Sequence, residues 1–149
     1  MRYTIQQITT GEEEVILRYR ERTPEVERIC SFLQGKQQRL RGWKEQQLIL
    51  FEPEEVLYIE SVDGKTFAYT KQEVLQTEYT LNRLEQLLTG INFFRCSKSM
   101  IINIDHVERL KSLPSNRIEA TMRGGERIMI SRTYASDFRK ILRGGDGNE

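Results

Sequence analysis

Phe93-Phe94-Arg95-Cys96-Ser97-Lys98-Ser99-Met100-Ile101-Ile102-Asn103 is the stretch on which the reading of this chain turns. Two aromatics give way to a short polar, basic loop, which then enters an apolar strand ending at an asparagine. Such a loop is pinned at both ends by residues that bury themselves, leaving Arg95, Ser97 and Lys98 outside. Fixed donors on a rigid frame are what reading the edge of a nucleic-acid base requires.

Downstream, Ile118, Ala120 and Met122 alternate with Arg117, Glu119, Thr121 and Arg123, and Gly124-Gly125 turns the chain into Glu126–Ile130. That pattern predicts a hairpin. Ser131 is placed to cap a last helix with Tyr134, Phe138, Ile141 and Leu142 on one face, ended by Gly144. Upstream, Leu48–Phe51 and Val56–Glu60 read as short strands kept apart by Pro53. Asp63-Gly64 predicts a tight turn into a strand over Lys65–Thr70, because these residues tolerate positive φ. A helix follows, with Thr80 as its cap, Leu81, Leu84 and Leu88 on one face and Gly90 at its end.

Near the N-terminus, Val15, Leu17 and Tyr19 alternate with Ile16, Arg18 and Arg20, which predicts a half-buried strand over 14–20 paired with one over 2–8. Thr23-Pro24 then opens a helix with Val26, Ile29, Cys30 and Leu33 on one face, stopped by Gly35. The chain therefore divides into a ββα extension over 1–37, a main domain over 38–143 and a flexible tail over 144–149. The expected fold class is mainly β: short antiparallel sheets with a few short helices. Trp43, Phe51, Met100, Met122 and Met129 are expected in the core.

The composition, 38% hydrophobic and 30% charged, is that of a soluble globular chain. No apolar run approaches the roughly 20 residues of a membrane-spanning helix, and Met1–Ile5 lacks the apolar core of a signal peptide. A cytoplasmic protein with no membrane insertion is expected, with Cys30 and Cys96 as reduced thiols. The net charge of +1 hides an uneven distribution: residues 91–143 hold 11 Lys or Arg against 5 Asp or Glu, whereas 38–90 hold 6 against 9. A basic C-terminal third is compatible with a phosphate-binding face.

Signals for catalysis are weak. His106 has no second histidine or nearby cysteine with which to share a metal, and reads as a turn residue. Glu52, Glu54 and Glu55, with Glu45 and Glu60, read as solvated carboxylates around a turn. There is no nucleophile motif and no glycine-rich phosphate loop. The sequence points to no enzyme, no cofactor, no metal and no catalytic residue.

Four pieces stand in order along the chain: Val56-Leu57-Tyr58-Ile59-Glu60, Phe94-Arg95-Cys96-Ser97-Lys98-Ser99, Ile102-Asn103 and Ile130-Ser131-Arg132. Together they resemble the LytTR family of DNA-binding domains over residues 38–142, with the first 37 residues outside the match. The resemblance implies a fold of short antiparallel sheets that sends loops, rather than a recognition helix, into successive major grooves. It assigns base contacts to Lys65 and Thr66, to Ser97 and Lys98, and to Arg132. Backbone contacts fall to Arg95, Asn103, Lys111, Arg123 and Thr133. Thr66 and Thr133 depart from the family, which often has a histidine or a second basic residue at the first position and an arginine at the second.

The implied partner is double-stranded DNA carrying promoter repeats, bound by a homodimer that regulates transcription in a bacterium. The family usually joins this domain to a receiver or a membrane segment, and 37 residues are too few for a receiver. The ββα piece is instead expected to dimerise the protein, extend its sheet or engage a partner protein. The alternative is a β-rich protein-interaction module with no DNA role, using sheet edges and the acidic 38–90 face.

Overall fold

A computed structural model describes residues 1–34, 39–88 and 91–144. The elements run α1 (Pro24–Leu33), β1 (Leu40–Lys44), β2 (Gln47–Phe51), β3 (Val56–Val62), β4 (Lys65–Thr70), β5 (Val74–Thr77) and α2 (Leu81–Leu87). They continue with β6 (Phe93–Ser97), β7 (Met100–Asn103), β8 (Val107–Leu113), β9 (Arg117–Met122), β10 (Arg127–Ile130) and α3 (Arg132–Gly144). A seven-stranded sheet has the order β2-β1-β5-β4-β3-β7-β6, and a three-stranded sheet has the order β10-β9-β8. All pairings are antiparallel. The mainly β fold of antiparallel sheets with a few short helices expected from the sequence is the one observed.

The large sheet is buried from both sides around β3 and β7. Ile101 joins Ile59, Ala68 and Leu75 against Leu81, Leu84 and Leu88 at α2. Ile102 faces the other way, with Phe94 and Cys96, against Ile118, Ala120, Met122, Ile128 and Ile130 of the small sheet and Ala135 and Phe138 of α3. Successive residues of a strand point to opposite faces, so an uninterrupted Ile-Ile run suits a strand covered twice. In β3 the register shifts between Val56 and Tyr58. That bulge turns Leu57 and Tyr58 toward the small sheet while Val56 and Ile59 remain on the α2 side.

Turn chemistry explains the hairpins. Asp63 and Gly64 sit at φ 51° and 78°, as their residue types anticipate. The β1–β2 turn does the same with Glu45 and Gln46, at φ 51° and 67°. Neither residue advertises a positive φ, so the pattern gives no signal for β1. β5 is only four residues long, and the edge strand β8 is almost wholly exposed and lacks alternation. The caps behave as their residues suggest: Thr23 Oγ1 accepts from Val26 N–H at 3.2 Å and Thr80 Oγ1 from Arg83 N–H at 3.1 Å.

Several expectations are corrected. Residues 1–22 contain no strand, so the N-terminal piece has its helix but not its two strands. Tyr3, Ile5, Val15 and Ile16 are all more than two-thirds exposed, and this segment pairs with no strand of either sheet and joins neither core. Trp43 and Met129 lie outside the core at 44% and 40% exposure, each on the open side of its sheet. In α3 only Ala135 and Phe138 are buried; Ile141 and Leu142, on the expected apolar stripe, are exposed. The expected stops at Gly35 and Gly90, the boundary at Gln38, and the tail beyond Gly144 lie outside the described residues.

Asn103 and Cys96 give two checks on this packing. The buried Asn103 side chain donates to the Val56 carbonyl at 2.9 Å and accepts from Asp105 N–H at 3.0 Å. Asn103→Ala strands a buried carbonyl and is expected to lower unfolding free energy by about 2 kcal/mol in urea titration. Burial pushes the Cys96 thiol up to about 12, so near neutral pH it stays protonated and unreactive. Alkylation at pH of about 8 should therefore modify one thiol per native chain, at the half-buried Cys30, and two after denaturation.

Candidate nucleic-acid interface

Three segments distant in sequence meet at one end of the two sheets. Val62 pairs with Lys65 across the Asp63-Gly64 turn, placing that turn at the tip of β3–β4. The β6–β7 turn, Ser97-Lys98-Ser99, lies beside it, because Ser61 N–H donates to the Ser99 carbonyl at 2.8 Å. On the other flank of β6, Ser131 N–H donates to the Cys96 carbonyl at 2.9 Å. The first turn of α3 is thereby fixed next to the same loop. Its Ser131 carbonyl accepts from the N–H groups of Tyr134 and Ala135, and the Phe138 ring packs on Phe94 with centroids 5.0 Å apart.

Arg95 holds the β6–β7 turn in shape. Its Nε donates to the Ser97 carbonyl at 2.7 Å, and a terminal nitrogen donates to the Lys98 carbonyl. The other nitrogen donates to Asn82 Oδ1 at 3.0 Å and lies 3.5 Å from the Glu85 carboxylate. Its side chain is 15% exposed. A planar fork can satisfy that many acceptors at once, where an ammonium cannot. The Ser97 hydroxyl is also engaged within the turn, accepting from Ser99 N–H at 3.2 Å. Lys98 and Ser99 are left pointing outward.

Lys65, Lys98, Arg132 and Thr133 are exposed at this end. Among the described residues none of the three cations is ion-paired. Unpaired cations on short, fixed turns can meet base edges or phosphates without first breaking an internal contact. Exposed Ser99, the last residue of the Phe94–Ser99 piece, and Val62 stand with them, and the sequence named neither as a contact, because only the Ser61–Ser99 hydrogen bond brings the two turns together.

Other expected contacts are placed elsewhere. Thr66 is 6% exposed, directly opposite buried Thr77 on the face toward α2, so little of it is open to a ligand. Asn103 is 2% exposed and serves the Val56 carbonyl. Arg95 is turned into the turn it supports. Arg123 sits in the β9–β10 turn, donating its N–H to the His106 carbonyl, at the end of that hairpin remote from Ser131. Lys111 lies on β8, opposite Glu119 and two strands across from Met129. His106 occupies a turn as expected, its Nε2 2.7 Å from the Glu54 carbonyl.

This end of a double antiparallel sheet, with loops for a binding surface, defines a class. The LytTr DNA-binding domain model matches residues 46–143, and the chain belongs to that family. A solved LytTr DNA-binding domain from Bacillus cereus superposes with a TM-score of 0.67 at 30% identity, covering 70% of this chain and 95% of that one. The sensory transduction protein LytT of Bacillus cereus is 33% identical over 99 residues, 66% of this chain and 40% of the relative. The transcriptional regulatory protein YpdB of Escherichia coli K12 is 21% identical over 100 residues, 41% of its own length. The chain thus spans about two-fifths of the curated relatives it matches.

The placement of Arg95 yields a test. If it acts by shaping the turn, Arg95→Lys and Arg95→Ala should weaken duplex binding by similar factors and leave its salt dependence unchanged. A lysine variant that keeps wild-type affinity, with an alanine variant whose log–log salt slope falls by about one, would instead make Arg95 a phosphate contact.

Proposed function

We propose that this chain is a cytoplasmic bacterial transcription regulator that binds specific double-stranded DNA sequences, setting its loops in successive major grooves. The observation that carries this reading is the convergence of Lys65, Lys98 and Arg132 on one end, tied by the Ser61–Ser99 and Ser131–Cys96 hydrogen bonds. The names of LytT and YpdB support a regulatory role. Arg132, at the start of α3, is suited to fork onto guanine O6 and N7. Lys98 reaches the same acceptors or a phosphate, and Lys65 serves the adjoining groove. Thr133 is left for the backbone.

We assign no base contact to Thr66 and no backbone contact to Asn103, since both are buried. Binding as a homodimer on repeated half-sites is part of the same proposal, and residues 1–34, with apolar side chains exposed at Tyr3, Ile5, Val15 and Ile16, are the segment we assign to dimerisation. A second reading, a protein-interaction module, is favoured by Trp43 and Leu48, which face each other across β1–β2 and are 44% and 50% exposed.

Selection of bound duplexes from random sequence separates the two. Recovery of a defined motif with a salt-sensitive gel shift is expected; no shift at micromolar protein would sink the DNA reading. On the recovered motif, Arg132→Ala should lose about 1 to 3 kcal/mol, with a smaller loss on random DNA. Equal losses on both would make Arg132 a phosphate contact.

A further inference from the structure

The open face of the three-stranded sheet is unusually cationic. Register places Arg109, Thr121 and Arg127 side by side in one row across β8, β9 and β10, and Lys111, Glu119 and Met129 in the next. Leu113 and Arg117 form the row nearest the β9–β8 turn. The alternate residues Ile118, Ala120, Met122, Ile128 and Ile130 are all in the core, so this second set faces outward. Arg109, Lys111, Arg117 and Arg127 are exposed.

Among the paired positions of this face one is acidic, Glu119, opposite Lys111, and exposed Glu108 lies in the bulge next to Arg109. Glu126 does not neutralise its neighbour Arg127. It lies on the inner side, where its charge adds to burial in raising the Tyr58 hydroxyl. Arg109 and Arg127 thus flank the Thr121 hydroxyl at a separation of about 10 Å between their strands. Two guanidinium groups on either side of a hydroxyl form a donor set for phosphate oxygens.

The position of the face says which phosphates. Ile118 pairs with Ile130, and the next residue, Ser131, opens the turn that carries Arg132. The cationic rows therefore begin beside the loop end of the domain and run back from it along the strands for roughly 10 Å. Arg117, whose Nε donates to the Pro114 carbonyl at 3.1 Å, stands nearest that end.

We propose that the outer face of the small sheet is a phosphate track for DNA flanking the specific site, with the duplex bending past Arg132 onto Arg117 and then onto Arg109, Lys111 and Arg127. The proposal rests on the DNA-binding reading above. It enlarges the footprint without adding base recognition, because phosphate contacts carry no sequence.

The test uses the whole chain and the duplex recovered by selection, carried with either short or long flanks. Binding is followed by fluorescence anisotropy across a salt series. For the wild type, the long-flanked duplex should bind more tightly and with the steeper log–log salt slope. In Arg109→Gln/Arg127→Gln, whose substituted side chains are exposed, that slope should fall by about two. Binding to the short-flanked duplex should be unchanged. Arg132→Ala, by contrast, should weaken both duplexes alike.

A double variant whose slope and affinity match the wild type on the long duplex overturns the phosphate track while leaving specific binding intact. The same holds if it binds both duplexes normally yet loses transcriptional output, which would assign the face to an acidic protein surface. Failure of the wild type to bind either duplex overturns the parent reading, and the track with it. A thermal melt of the double variant matching the wild type excludes misfolding as the source of a loss.

Discussion

Ile101 and Ile102 are neighbours in the chain and are buried on opposite faces of the same sheet, one toward α2 and one toward the small sheet and α3. This two-sided burial is the constraint from which the rest follows. In the sheet β7 lies between β3 and β6, with a covering layer on each face. The β6–β7 turn is then pinned at its base, and Cys96, wholly buried, anchors β6 opposite Ser131. Burying a side chain the size of isoleucine on each face contributes about 2 to 3 kcal/mol apiece. Losing either layer would free the loops that the sheet holds in place.

The same arrangement separates affinity from recognition. Lys65, Lys98 and Arg132 are presented on turns whose backbones are fixed by hydrogen bonds, so little ordering remains to be done when they meet a ligand. Arg95 sits just behind them, and Asn103 at the far end of β7; both spend donors on protein carbonyls. Residues that looked like ligands in the sequence thus make the frame, and their polarity is satisfied internally. Surface charge on the small sheet is a third layer of organisation, set by strand alternation alone.

By itself the sequence determined the local elements and the order of the motifs. The Asp63-Gly64 turn, the Thr80-capped helix, the β9–β10 hairpin and the Phe94–Asn103 unit are legible because residue type and spacing act over a few positions. The tertiary structure alone decided which polar residues face solvent. Thr66 and Lys65 are adjacent and Asn103 follows an isoleucine pair, yet only register and the covering layers bury one threonine and one asparagine while leaving the lysine free. The N-terminal alternation shows the same dependence: without a neighbouring strand or a face to cover, residues 2–8 and 14–20 have the pattern of strands but not the pairing. Side-chain periodicity states a preference; burial needs a partner surface, and only the fold supplies one.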